Sequence, residues 1–439
     1  METIVEVEKS LTELRQYFKS GKTRSVAWRK NQLRALLNLI HENENAIFKA
    51  LHQDLGKHPV EAYRDEIGVL EKSATYSLNN IEDWMAPKKG NLPLLFFPAR
   101  GEVLPEPLGV VLIFSSWNFP ISLALDPLIG AISAGNAHKW DKIFFTGSPQ
   151  VGRIVMSAAA NHLTPVTLEL GGKCPTILDS LSNPSDLKVA IKRIVGGKWG
   201  PCSGQACIGI DYVLVEDKLK TILIESLKRT IKKFYGENPK DSKVIARIVN
   251  KQHFKRLCNL LKDPLVAASI VHGGSVDEEK LFIEPTILLD PPHDAEIMME
   301  EIFGPLLPII TLNKIQESID FINSRPKPLA IYAFTKDETF KKQILSETSS
   351  GSVTFNDVLM QFLCDALPFG GVGQSGFGRY HGKYSFDTFS HEKAVMQRHL
   401  VLEIGPRYPP WDEFKLKFMR LAYRLNYFGL ILLILGLKK

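Results

Sequence analysis

Cys207 stands directly after Ser203-Gly204-Gln205-Ala206, near the middle of a 439-residue chain. A thiol with an ordinary pKa near ~8.5 is only a few per cent thiolate at pH 7, so a nucleophilic cysteine needs surroundings that activate it. Two other side chains could complete such chemistry. Asn118, in Trp117-Asn118-Phe119-Pro120, follows a strand-like run, where side chains of an α/β sheet face a ligand crevice. Its amide can donate to the oxyanion formed when a thiolate attacks a carbonyl, with the Cys207 backbone N–H as second donor. Glu169 lies near the end of the strand-like VTLEL, before Gly171-Gly172. A carboxylate there can take a proton from a hydrolytic water, and the glycines suit close approach of a ligand. Taken singly, each has a plainer reading: a buried cysteine, a turn asparagine before Pro120, a charge at a strand end.

The elements that must position these groups follow an α/β grammar. Residues 1 to about 90 read as amphipathic helices, with Leu33, Leu36, Leu37 and Ile40 at helical spacing. The Pro- and Gly-broken stretch from Lys88 to Gly109 reads as extended segments able to leave the domain as a hairpin. VVLIFSSW is a strand, LALDPLIGAISAGN a helix ending at Gly135-Asn136, KIFFTGS a strand, VGRIVMSAAANH a helix and VTLEL a third strand. That alternation builds a parallel sheet, and residues from about 200 to 390 repeat it as a second α/β domain. In Phe145–Gly152, the residues Gly147, Ser148, Val151 and Gly152 open a helix whose free N–H groups suit a pyrophosphate. A literal GxGxxG spans Gly371 to Gly376, but no strand-then-helix unit with an acidic residue beyond it frames the glycines. It reads as a flexible loop.

Composition is that of a soluble globular enzyme, with 44% hydrophobic and 23% charged residues. The five cysteines are Cys174, Cys202, Cys207, Cys258 and Cys364, with no CxxC. That odd count in a long chain points to neither a disulfide framework nor a metal site, and to a reducing, cytoplasmic setting. The acidic N-terminus lacks the apolar core of a secretory signal. The net charge of +6 is concentrated from Arg407 onward, where seven Lys/Arg face Asp412 and Glu413, so nucleic acid is not an expected partner.

WNFP, LELGGK at Leu168–Lys173, SGQAC and EEIFGP at Glu300–Pro305, with LPFGGVGQSGFGRYHGKYSFDTFSHEKAV at Leu367–Val395, resemble the class 3, plant-type branch of the aldehyde dehydrogenase family over nearly the whole chain. The resemblance implies that Cys207 attacks an aldehyde, Asn118 holds the oxyanion, hydride passes to NAD or NADP, and Glu169 activates the water that releases the acid. It makes Glu301 the clamp of the nicotinamide ribose and Phe303 the ring beside it, with Trp117 and Gly171 also lining the cofactor. It implies a homodimer bridged by the hairpin and the C-terminal segment. The expected division is 1–91 N-terminal helices, 92–110 bridging segment, 111–199 remainder of the cofactor-binding domain, 200–390 catalytic domain and 391–439 tail.

One departure matters most. In the family, SAGNA continues into a strand bearing a lysine and a glutamate for the adenosine ribose, then further βα elements. Here Ala137 leads through His138 directly to Lys139-Trp140-Asp141. Two βα units, on the order of 40 residues, are missing, as a skipped exon would leave them. In a sheet ordered 3-2-1-4-5, strands 2 and 3 are lost from one edge, and strands 1, 4 and 5 could still pair. The helix after strand 1 must then lead to the other side, against the right-handed rule obeyed in about 98% of parallel crossovers. A truncated Rossmann-type sheet with a damaged cofactor site is expected. A second departure is Cys202, where an asparagine is common. It is either an inert thiol or the partner of Cys207 in a regulatory disulfide.

In the tail, Phe414, Phe418, Leu421, Leu425 and Phe428 fall at helical spacing with Lys417, Arg420 and Arg424 between them, and the apolar run Tyr427–Leu437 follows. As a helix that run is about 16 Å long, too short for the ~30 Å core of a bilayer. It suits either a membrane interface of an intracellular membrane or docking on the protein body. Some class 3 relatives are tail-anchored. Three functions remain open: oxidation of medium- or long-chain aliphatic aldehydes, a silent isoform that pairs with the full-length enzyme, and cofactor-independent ester hydrolysis.

Overall fold

The computed structural model describes residues 2–135, 140–181, 183–400 and 403–437. The chain divides into two compact units, Met1–Ile81 with Pro107–Phe389, and Glu82–Glu106 with Ser390–Lys439.

The first unit opens with helices α1 (Glu2–Lys19), α2 (Val26–Glu42) and α3 (Glu44–Leu55). Ser25 caps α2 by accepting the Trp28 N–H, and Leu33, Leu36 and Ile40 are the buried stripe their spacing foretold. Gly56, left-handed at φ +67°, ends α3. Pro59 then starts the short α4 (Pro59–Ala62), which runs through a π-helical turn, Tyr63–Ile67, into α5 (Gly68–Met85). Two strands of the second unit follow, β1 (Lys88–Lys89) and β2 (Arg100–Pro107), paired antiparallel.

The chain re-enters the first unit as β3 (Val110–Phe114), α6 (Ser122–Ala134), β4 (Trp140–Gly147), α7 (Pro149–Ala160) and β5 (Val166–Leu170). β3 pairs parallel to β4, and β4 to β5, which is the shortened order expected once two strands are lost. β3 is the outer strand of this sheet among the described residues. α6 stops at Gly135, φ +82°, and the Arg29 guanidinium fills the space a Cβ would need there. Arg29 Nη1 also donates to Ser133 O at 2.8 Å, so the helix end is anchored before the junction. The junction residues 136–139, on which the expected hand of the crossover turns, lie outside the described residues.

The second sheet uses β6 (Pro175–Leu178), which α8 (Pro184–Trp199) connects to β7 (Tyr212–Glu216), followed by α9 (Lys220–Tyr235) and α10 (Lys251–Lys262). It continues with β8 (Ile270–His272) and, after a small hairpin of β9 (Val276–Asp277) and β10 (Phe282–Ile283), with β11 (Thr286–Leu289), β12 (Leu306–Leu312), β13 (Ala330–Phe334) and β14 (Ser352–Phe355). The order is β14-β13-β6-β7-β12-β11-β8, parallel except for β8 against β11. Every residue of β13 is buried, as expected of a parallel strand covered on both faces.

Three expectations need correction. The change of sheet comes at Gly171–Cys174, so β6 and α8 belong with the second sheet rather than with the cofactor-binding part ending at 199. The GxGxxG segment is no flexible loop: β15 (Gly376–Phe377) pairs antiparallel with β5, Gly376 opposite Glu169, and Ser375 is buried. Its glycines serve close strand approach, since a Cβ on Gly376 (φ +126°) would overlap the Leu168 carbonyl oxygen. In the second unit, where β16 (Ser390–Gln397) joins β1 and β2, the tail is two helices, Glu413–Tyr423 and Tyr427–Ile434. The break falls at Leu425, φ +51°, and Asn426 caps the second helix by accepting the Gly429 N–H at 2.8 Å. Phe418, Ala422, Leu430 and Leu433 form its buried face.

Gly376→Val is expected to lift β15 off β5 and to lower stability by about 2 kcal/mol or more. Urea unfolding of the two proteins side by side measures it.

Candidate active site

The site lies where the two sheets of the first unit meet end to end. The C-terminal ends of β3, β4 and β5 lead to Asn118, Ser148 and Glu169, whereas Gly171–Lys173, Cys207 and Glu301 precede the N-terminal ends of β6, β7 and β12. The crevice beyond carboxyl strand ends is where open α/β sheets receive ligands.

Cys207 closes a turn held from several sides. Cys202 (φ +48°), Ser203 (φ +52°) and Gly204 (φ +80°) are all left-handed, and a Cβ on Gly204 would overlap the Gly304 carbonyl. Such backbone needs support. Gln205 supplies much of it: Nε2 donates to Cys202 O and to Arg247 O, each at 2.8 Å, and Oε1 accepts the Val249 N–H. On the far side, the Tyr332 hydroxyl donates to Ile208 O at 2.7 Å, and the Cys174 thiol to Cys207 O at 3.4 Å. Asn118 reaches the same turn, its Nδ2 donating to Gln205 O at 2.9 Å while Ser116 Oγ donates to its Oδ1.

The electrostatics of this turn oppose ionisation. The Cys207 thiol is free and half-buried, and burial pushes it up to about 12, with the Glu301 and Glu169 carboxyls adding to the rise. Glu169 is buried with both carboxyl oxygens unpartnered, and burial holds it well above the usual carboxylate range. Glu301 is raised to about 8 by burial and by the charge of Asp211, against the pull of the Gly172 N–H. Its carboxyl lies over Gly171, where any Cβ would overlap it, and its Oε1 has no partner. The Cys202 thiol is buried among Leu55, Ala246 and Trp117 and its burial raises it strongly, which fits the inert-thiol reading.

The other expected residues fall into two groups. Trp117 meets Phe303 edge to face at 5.5 Å between centroids, which brings the WNFP and EEIFGP strings together. Gly147 pairs with Leu170 across β4 and β5, which sets the β4–α7 turn beside Gly171. Within that turn, however, Ser148 Oγ caps α7 by accepting the Val151 N–H, Val151 points outward at 46% exposure, and Gly152 permits close packing on Leu170. Their roles in the fold are thus a cap, a surface position and a helix–sheet contact.

Motif reading missed four side chains here. Lys173 and Asp211 form a buried ion pair; Lys173 Nζ also donates to Ile297 O and Glu300 O, and Asp211 Oδ1 accepts the Ile302 N–H. His253 packs on Trp117 at 5.2 Å, and Arg256 Nη2 donates to Ile302 O at 2.5 Å. Lys173 sits inside LELGGK and was visible there, but His253 and Arg256 lie on an amphipathic helix with no local signal.

Fold and chemistry place the chain among two-sheet α/β proteins that assemble a thiol, an amide and buried carboxyls at the sheet junction. It belongs to the aldehyde dehydrogenase family, whose model matches residues 2–140 and 137–395. It is similar to aldehyde dehydrogenase family 3 member F1 of Arabidopsis thaliana, 59% identical over 477 aligned positions that cover 99% of both chains. Those 477 positions exceed the 439 residues, so the alignment opens gaps in this chain, and the two family matches meet at 137–140, the junction itself. The 4,4'-diaponeurosporen-aldehyde dehydrogenase of Staphylococcus aureus is 40% identical, covering 95% of this chain and 99% of that one. The solved structure of substrate-bound Staphylococcus aureus AldH superposes with a TM-score of 0.90 at 39% identity, over 95% of this chain and 99% of that one.

Alkylation of Cys207 by iodoacetamide should keep rising with pH through 9, because its thiol lies above that range. Glu301→Gln removes a like charge beside the thiol, which favours the thiolate, so alkylation at pH 9 should be about 3–10 times faster than in the parent.

Proposed function

We propose that this chain oxidises aliphatic aldehydes of medium or long chain to carboxylic acids through a covalent intermediate on Cys207, with NAD or NADP as hydride acceptor. The observation that carries the reading is buried Glu169, with both carboxyl oxygens unpartnered, close enough to Cys207 to raise its thiol, while the Asn118 amide reaches Gln205 in the same turn.

The residues present fit the nicotinamide half of the cofactor. Glu301 Oε1 is an unpartnered acceptor for a ribose hydroxyl, Gly171 lets the Glu301 carboxyl lie against the backbone, and Trp117, Phe303 and His253 supply aromatic walls. Ser148 and the α7 N-terminus would face the pyrophosphate. At the adenosine end β3 is the outer strand, and the lysine and glutamate that the family carries there have no counterpart in the sequence. When bound, the cofactor accepts the hydride that leaves the substrate carbon.

The chain's own residues do the rest. The thiol proton passes to a neighbouring carboxylate as the sulfur–carbon bond forms. Asn118 Nδ2 and the Cys207 N–H hold the negative oxygen, in the attack and again in hydrolysis. Glu169, a strong base because it is buried, takes a proton from water as that water attacks the thioester, and the acid leaves with the thiol restored.

In the second unit, Phe428, Ile431 and Ile434 remain exposed on the last helix, and Lys417, Arg420 and Arg424 are exposed on and just after the helix before it. No helix among the described residues is long and apolar enough to cross a membrane. We infer that this face rests on anionic lipid of an intracellular membrane, the protein otherwise being cytoplasmic and a homodimer. The name of the Staphylococcus aureus relative, an aldehyde dehydrogenase for 4,4'-diaponeurosporen-aldehyde, supports an apolar substrate. Truncation after Gly405 is expected to abolish co-sedimentation with anionic liposomes; retained binding sinks the idea.

Cofactor reduction with a medium-chain aldehyde and hydrolysis of a p-nitrophenyl ester, measured on one sample, test the main reading. Both should appear, both should vanish in Cys207→Ala, and Glu169→Gln should slow turnover by ~10²–10⁴-fold. Ester hydrolysis alone would mean that the nucleophile is assembled without a working cofactor site. Neither activity would favour the silent isoform.

A further inference from the structure

Next to the site is a buried ion pair that the mechanism leaves unused. Lys57 and Glu66 are both wholly inaccessible, with Nζ to Oε1 at 2.7 Å. Isolated buried charges are costly and persist when every hydrogen-bonding direction is met. Here they are. The Lys57 ammonium also donates to Asn118 O at 2.7 Å and lies 4.2 Å from the centre of the Phe119 ring. Glu66 Oε2 accepts the Ile121 and Ser122 N–H groups, at 3.1 and 2.8 Å, where α6 begins. Burial alone would pull the ammonium down; Glu66, by charge and hydrogen bond, together with Cys202 and Glu61 nearby, holds Lys57 above its ordinary value. One turn away, Glu61 Oε1 accepts the Cys202 N–H at 2.7 Å.

The three side chains come from one short segment, the end of α3 through α4 into its π-helical turn. Lys57 and Glu66 grip Asn118–Ser122; Glu61 grips the turn that ends in Cys207.

We propose that Lys57 and Glu66, together with Glu61, are positioning residues that set the spacing between the Asn118 amide and the Cys207 turn. This rests on the reading of Asn118 as oxyanion donor. Removing such a donor costs ~10²–10³-fold in rate, and a misplacement of about 1 Å can cost ~10²-fold. Loosening the grip on Asn118 O should therefore slow acylation while leaving ground-state binding alone.

The test uses the full chain and the acylation of Cys207 by p-nitrophenyl acetate. Lys57→Met with Glu66→Gln removes both charges together, which avoids stranding one of them. Acylation is expected to fall about 10–100-fold, with KM and the iodoacetamide alkylation rate of Cys207 within about twofold of the parent. Added to Asn118→Ala, the pair of substitutions should cost nothing further, because the donor they position is gone. A multiplicative loss in the combined variant, an unchanged acylation rate, or alkylation that falls in step with acylation overturns the proposal. Glu61→Ala leaves the buried pair whole and carries the same non-additivity test from the Cys202 side if the first variant does not fold. Asn118→Ala alone separates the two levels: if it acylates at full rate, the oxyanion role fails and the inference with it. If it is slow and the Lys57/Glu66 variant is not, only the inference fails.

Discussion

The Lys173–Asp211 ion pair is the constraint on which the site's assembly depends. Lys173 lies on the crossing between the sheets, Asp211 on the segment from Cys207 into β7, and their remaining hydrogen bonds go to Ile297, Glu300 and Ile302 ahead of β12. Three chain segments are thereby held to one another by one buried cation and one buried anion. All three ammonium protons have acceptors, so the desolvation cost of burial is met by directed bonds. Removing either partner would strand the other charge, a loss of about 3–5 kcal/mol in comparable buried pairs. The turn bearing Cys207, the glycines beside Glu169 and the segment bearing Glu301 would separate together.

The same compactness explains the electrostatics. Bringing Glu169 and Glu301 close to the thiol in a site of low polarity favours the neutral form of each group. The thiol is raised by burial first and by its carboxyl neighbours second, and Glu301 is raised by burial and by Asp211. A cation brought alongside Cys207 would lower the thiol, and a water admitted to Glu169 would lower its carboxyl, so reactivity is tied to occupancy. A cysteine held toward its neutral form is also protected from oxidation, which attacks thiolates.

Much of this was legible in the sequence, and the reasons are local. Gly135 after an apolar helix, Ser148-Pro149 before another and the unbroken apolar run Ala330–Phe334 each carry their structure within a few residues. The tail was misread because one φ, at Leu425, separates two helices that share an apolar spacing. The segment Gly371–Gly376 was misread because its partner, β5, lies some two hundred residues away and no local pattern announces a two-residue strand. Lys57, Glu66, His253 and Arg256 escaped for the same reason: their partners are distant in sequence, and on a helix a charged residue reads as solvated unless its burial is known.

The shortened sheet separates what the missing segment can affect from what it cannot. The order β3-β4-β5 puts the open edge at β3, two strands from Glu169. Glu169, Gly171, Cys207 and Glu301 draw their positions from β5, β6, β7 and β12, all on the intact side, and Asn118 is held by Lys57 from the helical segment rather than by any strand beyond β3. Loss of two βα units therefore leaves the supports of these five residues in place. On the proposed mechanism it would remove remote contacts to the adenosine end of the cofactor, and remote binding energy is what holds the reacting end in its productive geometry. On the proposed mechanism, the cost of the shortening should therefore appear in the hydride-transfer step as well as in cofactor affinity, while the attack assigned to Cys207 and the hydrolysis assigned to Glu169, which need no adenosine contact, would keep their machinery.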